Sequence, residues 1–265
     1  MISGISGSGV KSPIYNEVPA VASRPAVQYR VPGGEPLLLT HFAIQGKGEV
    51  PRLLLAEAGA AYNSLSVTGE EDQADALPWR QRSPNGLLPT VSGLGIPRAT
   101  PMSQSGSIVR FLAGQLGMAG QTPAEQIAAD MLYETANDLG SNKKVVVDYI
   151  EGAEKTESHK MPWKLALRIE KMLLRAPSPR DASSALTYGQ LQLFHTLTQM
   201  NTARSGCIAV VSPSLEVFRA AVAARARVAL YLAGPLRFPA TSGELGQAGG
   251  YNYATGAIAR KDMTL

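Results

Sequence analysis

The apolar positions in the first half of the chain alternate between two periods, one typical of strands and one typical of helices. Short runs that are continuously apolar, or apolar at every second position, predict strands. These runs are Pro36–Thr40, Tyr62–Val67, Leu87–Val91 and Ala99–Met102. Apolar residues spaced by three and four predict helices within Gly46–Gly59 and over Ser103–Leu116. The order strand, helix, strand, polar stretch, two strands and helix is that of a thioredoxin-like α/β domain.

After Gly117 the strand pattern nearly disappears and helical periodicity dominates, which predicts an all-α second domain. Thr122 as N-cap and Pro123 at the first helical position mark a strong helix start. Further helices are predicted at about 161–174, 187–200 and 214–232.

Both ends of the chain are rich in glycine and lack a regular apolar pattern. Such stretches cannot bury enough apolar surface to offset their ordering entropy. The expected organisation has four parts: a flexible N-terminal arm (1–35), an α/β thioredoxin-like domain (36–117), an all-α helical domain (118–233) and a Gly-rich C-terminal arm (234–265).

The length of the chain and its cysteine and histidine counts exclude several classes of protein. The chain has 265 residues, 45% of them hydrophobic, which is enough for two compact units with cores of their own. One cysteine, Cys207, excludes an intramolecular disulfide, and three scattered histidines give no zinc-type cluster, so no metal is expected. The cysteine usage favours an intracellular protein.

The charge pattern gives little support for nucleic acid binding, because the net charge of +4 is spread along the chain. No apolar run reaches the roughly 20 residues that a membrane helix needs, and no secretory signal pattern is present. We therefore expect a cytoplasmic protein without membrane or nucleic acid partners, and the sequence leaves an organelle or a cytoskeletal assembly open.

Six stretches, in order and with fitting gaps, resemble the glutathione transferase family, most closely its sigma class. They span about 37–232 and are LLLTHFAIQGKGEVPRLLLAEAG, NGLLP, MSQSGSIVRFLA, GMAGQTPAEQIAAD, MPWKLALRIEKML and LTYGQLQLF. The resemblance implies a thioredoxin-like domain followed by a helical domain, with glutathione as co-substrate. It also implies a detoxification reaction in which the glutathione thiol is joined to an apolar electrophile.

The resemblance also assigns the residues that would hold glutathione. Pro89 matches the family's cis-proline, and Leu88 before it would pair, backbone to backbone, with the cysteinyl unit. Gln104 and Ser105 match the pair that holds the γ-glutamyl group, and exposed amides at a helix start suit a carboxylate. Arg80 lies where the family keeps a lysine for the glycine carboxylate.

Two further positions carry implications of the same resemblance. Asp138 matches an aspartate that reaches the γ-glutamyl amine of the partner subunit's ligand, which implies a homodimer. Thr187 and Gln190 match the family's capping box with glutamine in place of aspartate, and glutamine can still return the hydrogen bond.

The two residues that would activate the glutathione thiol differ from those of the family. His41 replaces the tyrosine whose hydroxyl donates a hydrogen bond to the glutathione sulfur, and Lys47 replaces the arginine that supports it. A thiol with a pKa near ~8.5 needs a donor or a positive charge to become a thiolate. Imidazole can supply either, but it is shorter than tyrosine. The alternative is a non-catalytic scaffold subunit that docks to a larger assembly through its arms.

Overall fold

The computed structural model describes part of the chain. The described residues are 15–18, 36–42, 44–67, 79–141, 157–174, 176, 178–181, 184–234, 237–238, 251–252 and 257–258. Most of the two predicted arms therefore lies outside the described residues, and their flexibility stays a prediction.

Five strands form one sheet in the order β1-β3-β2-β4-β5. They are β1 (Tyr15–Val18), β2 (Leu38–Phe42), β3 (Tyr62–Val67), β4 (Thr90–Ser92) and β5 (Met102–Ser103). The central strands β2 and β3 are parallel, whereas β1, β4 and β5 run antiparallel to their neighbours. β2 is apolar on both faces because Leu39 enters the main core and Leu38 packs with Leu65 on the other side.

The helices lie between the strands in the first half of the chain and follow one another in the second half. They are α1 (Glu49–Ala58), α2 (Trp79–Arg82), α3 (Ser105–Gln115), α4 (Pro123–Ser141), α5 (Glu157–Leu173), α6 (Tyr188–Ala203), α7 (Cys207–Val211), α8 (Pro213–Ala223) and α9 (Ala226–Ala233). A continuous apolar cluster joins α1 and α3 to α4 and α6 through Leu54, Leu112, Leu132 and Leu193. The predicted fold class, a thioredoxin-like sheet with its helices and then an all-helical part, is confirmed.

The positions at which α4 and α6 begin agree closely with the prediction from the sequence. α4 begins at Pro123, and the Thr122 hydroxyl accepts a hydrogen bond from the Glu125 amide at 3.2 Å. α6 begins after Thr187 with a complete capping box, in which Gln190 accepts from the Thr187 amide at 2.9 Å. The expectation that glutamine preserves this box is confirmed.

Four details differ from the sequence-based expectation. The ladder of the second strand pair begins at Thr90 and not at Leu87, because Pro89 has no amide to donate. The predicted helix 214–232 is two helices, α8 and α9, since Arg225 between them is extended at φ −64° and ψ 131°. The short helix α7 had no prediction. Both arms contain regular structure: β1 in the first, and a hairpin of β6 (Tyr251–Asn252) and β7 (Ala257–Ile258) in the second.

The close approach of α4 and α6 depends on Gly189. A Cβ atom built on Gly189 would lie 2.2 Å from the carbonyl oxygen of Ala129 on α4. Gly189→Ala is therefore expected to lower the free energy of unfolding by about 1–3 kcal/mol, as overpacking does. Gly114 is the matched control, since nothing lies within 4 Å of a Cβ built there. Gly114→Ala in α3 should raise stability by roughly 0.5–1 kcal/mol, because alanine favours a helix. Urea denaturation measures both changes, and equal effects of the same sign would contradict the packing argument.

Candidate functional site

The Leu88–Pro89 peptide bond is cis and lies next to the start of α3. Thr90 of β4 pairs with Ser103 of β5, so the antiparallel register places Pro89 beside Gln104. The turn before the cis bond is fixed by side chains: the Ser83 hydroxyl donates to the Leu87 carbonyl at 2.6 Å. Asn85 adds an acceptor for the Leu87 amide at 3.1 Å. The structure thus brings together the two sequence pairs predicted to hold glutathione.

Gln104 has a backbone conformation that is rare for a residue with a side chain. Its φ is 73° and its ψ is 111°, and α3 starts immediately after it at Ser105. Such a conformation costs on the order of 1–3 kcal/mol and tends to occur at functional sites. Here it turns the chain sharply from β5 into α3, and the first-turn amides of that helix have no intrahelical acceptor.

Lys47 and Ser105 line one cleft between the sheet-containing half and the helical half. Lys47 is exposed on the 3-10 turn Gly46–Gly48 that precedes α1, and Ser105 is half-buried at the start of α3. α4 and α6 form the opposite wall. The cleft has a volume of about 90 Å³.

His41 lies outside this cleft. It faces the same side of β2 as the core residue Leu39, and only 3% of it is exposed. The ring packs so tightly against α1 that a Cβ built on Gly48 would lie 2.3 Å from its Cδ2. Neither ring nitrogen of His41 makes a hydrogen bond to a residue that the structure describes. The imidazole of His41 therefore does not line the cleft that contains Lys47 and Ser105.

Burial also sets the charge state of His41. Desolvation, with a smaller contribution from the nearby Arg52 guanidinium, lowers the pKa of His41 to about 3. At neutral pH the ring is uncharged and supplies no positive charge to a thiolate. The assignment of His41 as the thiol-activating residue stays a prediction, and the burial of the ring weighs against it.

A buried polar cluster beside His41 was not anticipated from the sequence. The Arg52 guanidinium donates to the carbonyl oxygen of Ile44 at 2.9 Å, and Glu49 accepts from the Tyr231 hydroxyl at 2.9 Å. Phe238 covers the cluster, because its ring centre lies 4.5 Å from the Arg52 guanidinium carbon. Glu49 and Arg52, two opposite charges three positions apart beside the apolar run Leu53–Leu55, were the available signal for such a cluster.

The remaining predicted ligand contacts occupy different places. Arg80 belongs to α2, which follows the segment 68–78 and precedes the cis bond. Asp138 is exposed on α4 and is not among the residues lining the cleft.

A larger depression, of about 740 Å³, lies at the junction of α8 and α9. Its lining includes Arg225, which is bonded to Glu57, and Arg227, which donates to the Ala58 carbonyl at 2.8 Å. Because these guanidinium groups already have partners and the cis bond is elsewhere, we do not assign the site there. Over the described residues, no helix combines the length and apolar character that crossing a membrane would require.

Known proteins resemble this chain along most of its length, although no family model matches. Glutathione S-transferase 2 of Caenorhabditis elegans is 28% identical over 67% of this chain and 94% of its own. Glutathione S-transferase 1 of Ascaris suum is 26% identical over 60% of this chain and 77% of its own. The solved glutathione S-transferase of Ascaris lumbricoides superposes with a TM-score of 0.60 and 22% identity, over 75% of this chain and 97% of that one.

The fold is that of solved glutathione S-transferases. The resemblance of the chain to the glutathione transferase family is confirmed by its similarity to curated glutathione S-transferases. The matches do not distinguish a class, so the closer likeness to the sigma class stays a prediction.

Proposed function

We propose that this protein binds glutathione at the junction of the cis bond and α3. The observation that carries the proposal is the register of β4 and β5, which places Leu88 and Pro89 beside Gln104 with its positive φ at the start of α3. This arrangement sets the backbone of Leu88, which precedes β4, beside the first turn of α3 as adjacent hydrogen-bonding surfaces. A carboxylate at that turn would meet backbone amides and the Ser105 hydroxyl, which favour negative charge.

The proposed ligand contacts follow from the family. Leu88 would pair with the cysteinyl unit, Gln104 and Ser105 would hold the γ-glutamyl group, and Arg80 would pair with the glycine carboxylate. Relatives that are named glutathione S-transferases support glutathione as the co-substrate.

The proposed reaction is conjugation of the glutathione thiol to an electrophile in the cleft. His41 has no part in it, because its buried ring is uncharged and outside the cleft. Lys47 is the cationic side chain on the rim of the described cleft, and an ammonium group near sulfur lowers a thiol pKa. The scaffold alternative has no support from the comparisons.

A homodimer is part of the proposal. Ile127 and Met131 lie one turn apart on α4 and are 62% and 57% exposed. Apolar side chains that share a helix face and stay exposed are typical of an interface. Asp138 is on the same helix, so a partner docked along α4 would bring it toward the partner's ligand.

The test is glutathione affinity measured by isothermal titration calorimetry. Ser105→Ala is expected to weaken binding by roughly 10- to 100-fold, because hydrogen bonds to charged groups contribute about 1.5–3 kcal/mol. Ser107→Ala is the matched control, since Ser107 is exposed two positions further along α3. The proposal fails if the unmodified protein does not bind glutathione, or if both serine variants lose affinity equally.

A further inference from the structure

Lys47 lies between two glycines, so its neighbours in the sequence do not fix its position. It is the middle residue of the 3-10 turn Gly46–Gly48, and Gly46 has a left-handed φ of 44°. Glycine is the residue with the greatest conformational freedom, and ordering it costs the most entropy. The position of Lys47 therefore depends on contacts that hold this turn from outside.

The Arg52 guanidinium holds the backbone that leads into the turn. Its Nη1 donates to the carbonyl oxygen of Ile44 at 2.9 Å and to that of Gln45 at 3.4 Å. Its Nη2 donates to the carbonyl oxygen of Phe42 at 3.4 Å. Only 1% of Arg52 is exposed. Because hydrogen bonds are electrostatically stronger where water is excluded, the burial of Arg52 strengthens its hold on this segment.

Phe238 makes two contacts with the residues that hold the turn. Its ring centre lies 4.5 Å from the Arg52 guanidinium carbon, which is a cation–π distance. Its carbonyl oxygen accepts a hydrogen bond from Nε2 of Gln45 at 3.0 Å, across 193 positions of the chain. Phe238 therefore covers the guanidinium and also fixes the residue that directly precedes the turn.

The residue that follows the turn, Glu49, is held from the same side. The Tyr231 hydroxyl donates to its carboxylate at 2.9 Å, and the Arg237 guanidinium lies 4.0 Å from the other carboxylate oxygen. Only 2% of Glu49 is exposed. The segment 231–238 thus contacts the chain on both sides of the turn that carries Lys47.

The other face of this turn lines the cleft. Gly46, Lys47 and Val50 all belong to the cleft wall that faces α4 and α6. A displacement of the backbone at Gln45 would therefore move Lys47 relative to Ser105, which lies on α3 and is held independently. The contacts of Phe238 and the position of Lys47 are connected through this one turn.

We propose that Phe238 is a positioning residue for the cleft: by covering Arg52 and accepting from Gln45, it holds Lys47 at the rim beside the glutathione sulfur. This inference rests on the proposed function, in which the Lys47 ammonium group favours the thiolate. Phe238 itself does not line the cleft, so its effect is exerted through Lys47.

The experiment measures the pKa of the glutathione thiol in the complex, from the pH dependence of the ultraviolet absorbance of the thiolate. The unmodified protein is expected to hold this pKa below the value of about 8.5 for a free thiol. Phe238→Ala is expected to raise it by about 0.5–1, the effect of moving one positive charge by a few ångströms in a solvated cleft.

Two further variants show whether this effect comes from the contacts of Phe238. Gln45→Met retains the volume of the side chain and removes the hydrogen bond to the Phe238 carbonyl, so it should also raise the thiol pKa. Met172→Ala is the matched control, because it removes a partly buried apolar side chain on α5 that does not line the cleft. This control should leave the thiol pKa unchanged.

A double variant tests whether Phe238 acts through Lys47. Lys47→Gln should by itself raise the thiol pKa, because the ammonium group is removed. Phe238→Ala added to Lys47→Gln should then cause little further change, since two substitutions that remove the same interaction are not additive.

S-methylglutathione separates positioning from a general loss of structure. It has the same peptide but no thiol to ionise, so the position of Lys47 matters less for its binding. Its affinity, measured by calorimetric titration, is expected to change by less than about 2-fold in Phe238→Ala.

The outcomes separate the two proposals. Failure of glutathione to bind the unmodified protein would overturn the proposed function and this inference with it. If glutathione binds but Lys47→Gln leaves the thiol pKa unchanged, the role of Lys47 and this inference are both wrong, while the binding site stands.

Three results would overturn the inference alone. The first is a thiol pKa that rises in Lys47→Gln but not in Phe238→Ala. The second is a rise in Phe238→Ala that persists in full when Lys47 is already replaced. The third is an equal loss of affinity for glutathione and S-methylglutathione in Phe238→Ala with an unchanged thiol pKa, which would show a purely structural role.

Discussion

Arg225→Met is expected to lower the free energy of unfolding by about 3–5 kcal/mol, the cost of breaking a buried ion pair. Arg225 connects the two halves of the molecule. Its guanidinium donates to Glu57 at the end of α1, with the Nε contact at 2.7 Å. It also donates to the carbonyl oxygens of Asp181 and Ser184, both at 2.9 Å. Methionine retains much of the apolar stem but leaves the Glu57 carboxylate and these carbonyls without their donor.

Arg219→Met is the matched control for this prediction. Arg219 pairs with Glu216 one turn away on α8, where both side chains are more exposed than those of Arg225 and Glu57. Solvent-screened pairs of this kind contribute less than about 1 kcal/mol. Urea denaturation at constant ionic strength measures both variants. Similar losses in the two would show that Arg225 does not hold the halves together.

His41 is expected to make the protein unstable in acid. Burial lowers the pKa of its imidazole to about 3 in the folded state, from the ordinary value of 6.5. The unfolded chain therefore binds a proton on this ring more readily than the folded chain does. Stability is fully present above pH 6.5 and is lost as the pH falls from there toward 3, which amounts to on the order of 3 kcal/mol by pH 4.

His41→Leu should remove this dependence and should also stabilise the protein at pH 7, since two unpaired ring nitrogens are no longer buried. Glu49 acts in the opposite sense, because burial raises the pKa of its carboxyl. It is present in both proteins, so the difference between them isolates His41. The measurement is the urea midpoint at pH 7 and at pH 4 for each protein.

Equal acid sensitivity of the two proteins would contradict the burial of His41. A second readout concerns chemistry. If glutathione conjugation is measured at pH 7, a folded His41→Leu protein should retain it. Loss of conjugation would show that the imidazole reaches the thiol.

Elements with local signals were predictable from the sequence. Thr122 with Pro123, and Thr187 with Gln190, define helix starts through contacts within a few residues, and both starts are confirmed. The bounds of β3, Tyr62–Val67, follow from alternation alone. The cis bond at Pro89 was expected only through the family likeness, and the structure contains it.

Other features depend on residues far apart in the chain. The break between α8 and α9 coincides with the contact of Arg225 with Glu57, 168 positions away. The need for glycine at position 189 comes from the backbone of α4, and the polarity of the cleft comes from the orientation of α6.

The sequence by itself determined the β2-α1-β3 and β4-β5-α3 units, the helix starts at Pro123 and after Thr187, and the glutathione transferase likeness, which places His41 where the family has a tyrosine. These depend on periodicity, on short-range hydrogen bonds and on residue identity, all of which are local to the chain. Only the tertiary structure decided that His41 is buried and neutral, and that Lys47 and Ser105 share a cleft with glutamines of α6. Burial, pKa and the lining of a cleft are properties of what packs around a residue, and that packing joins segments more than one hundred positions apart.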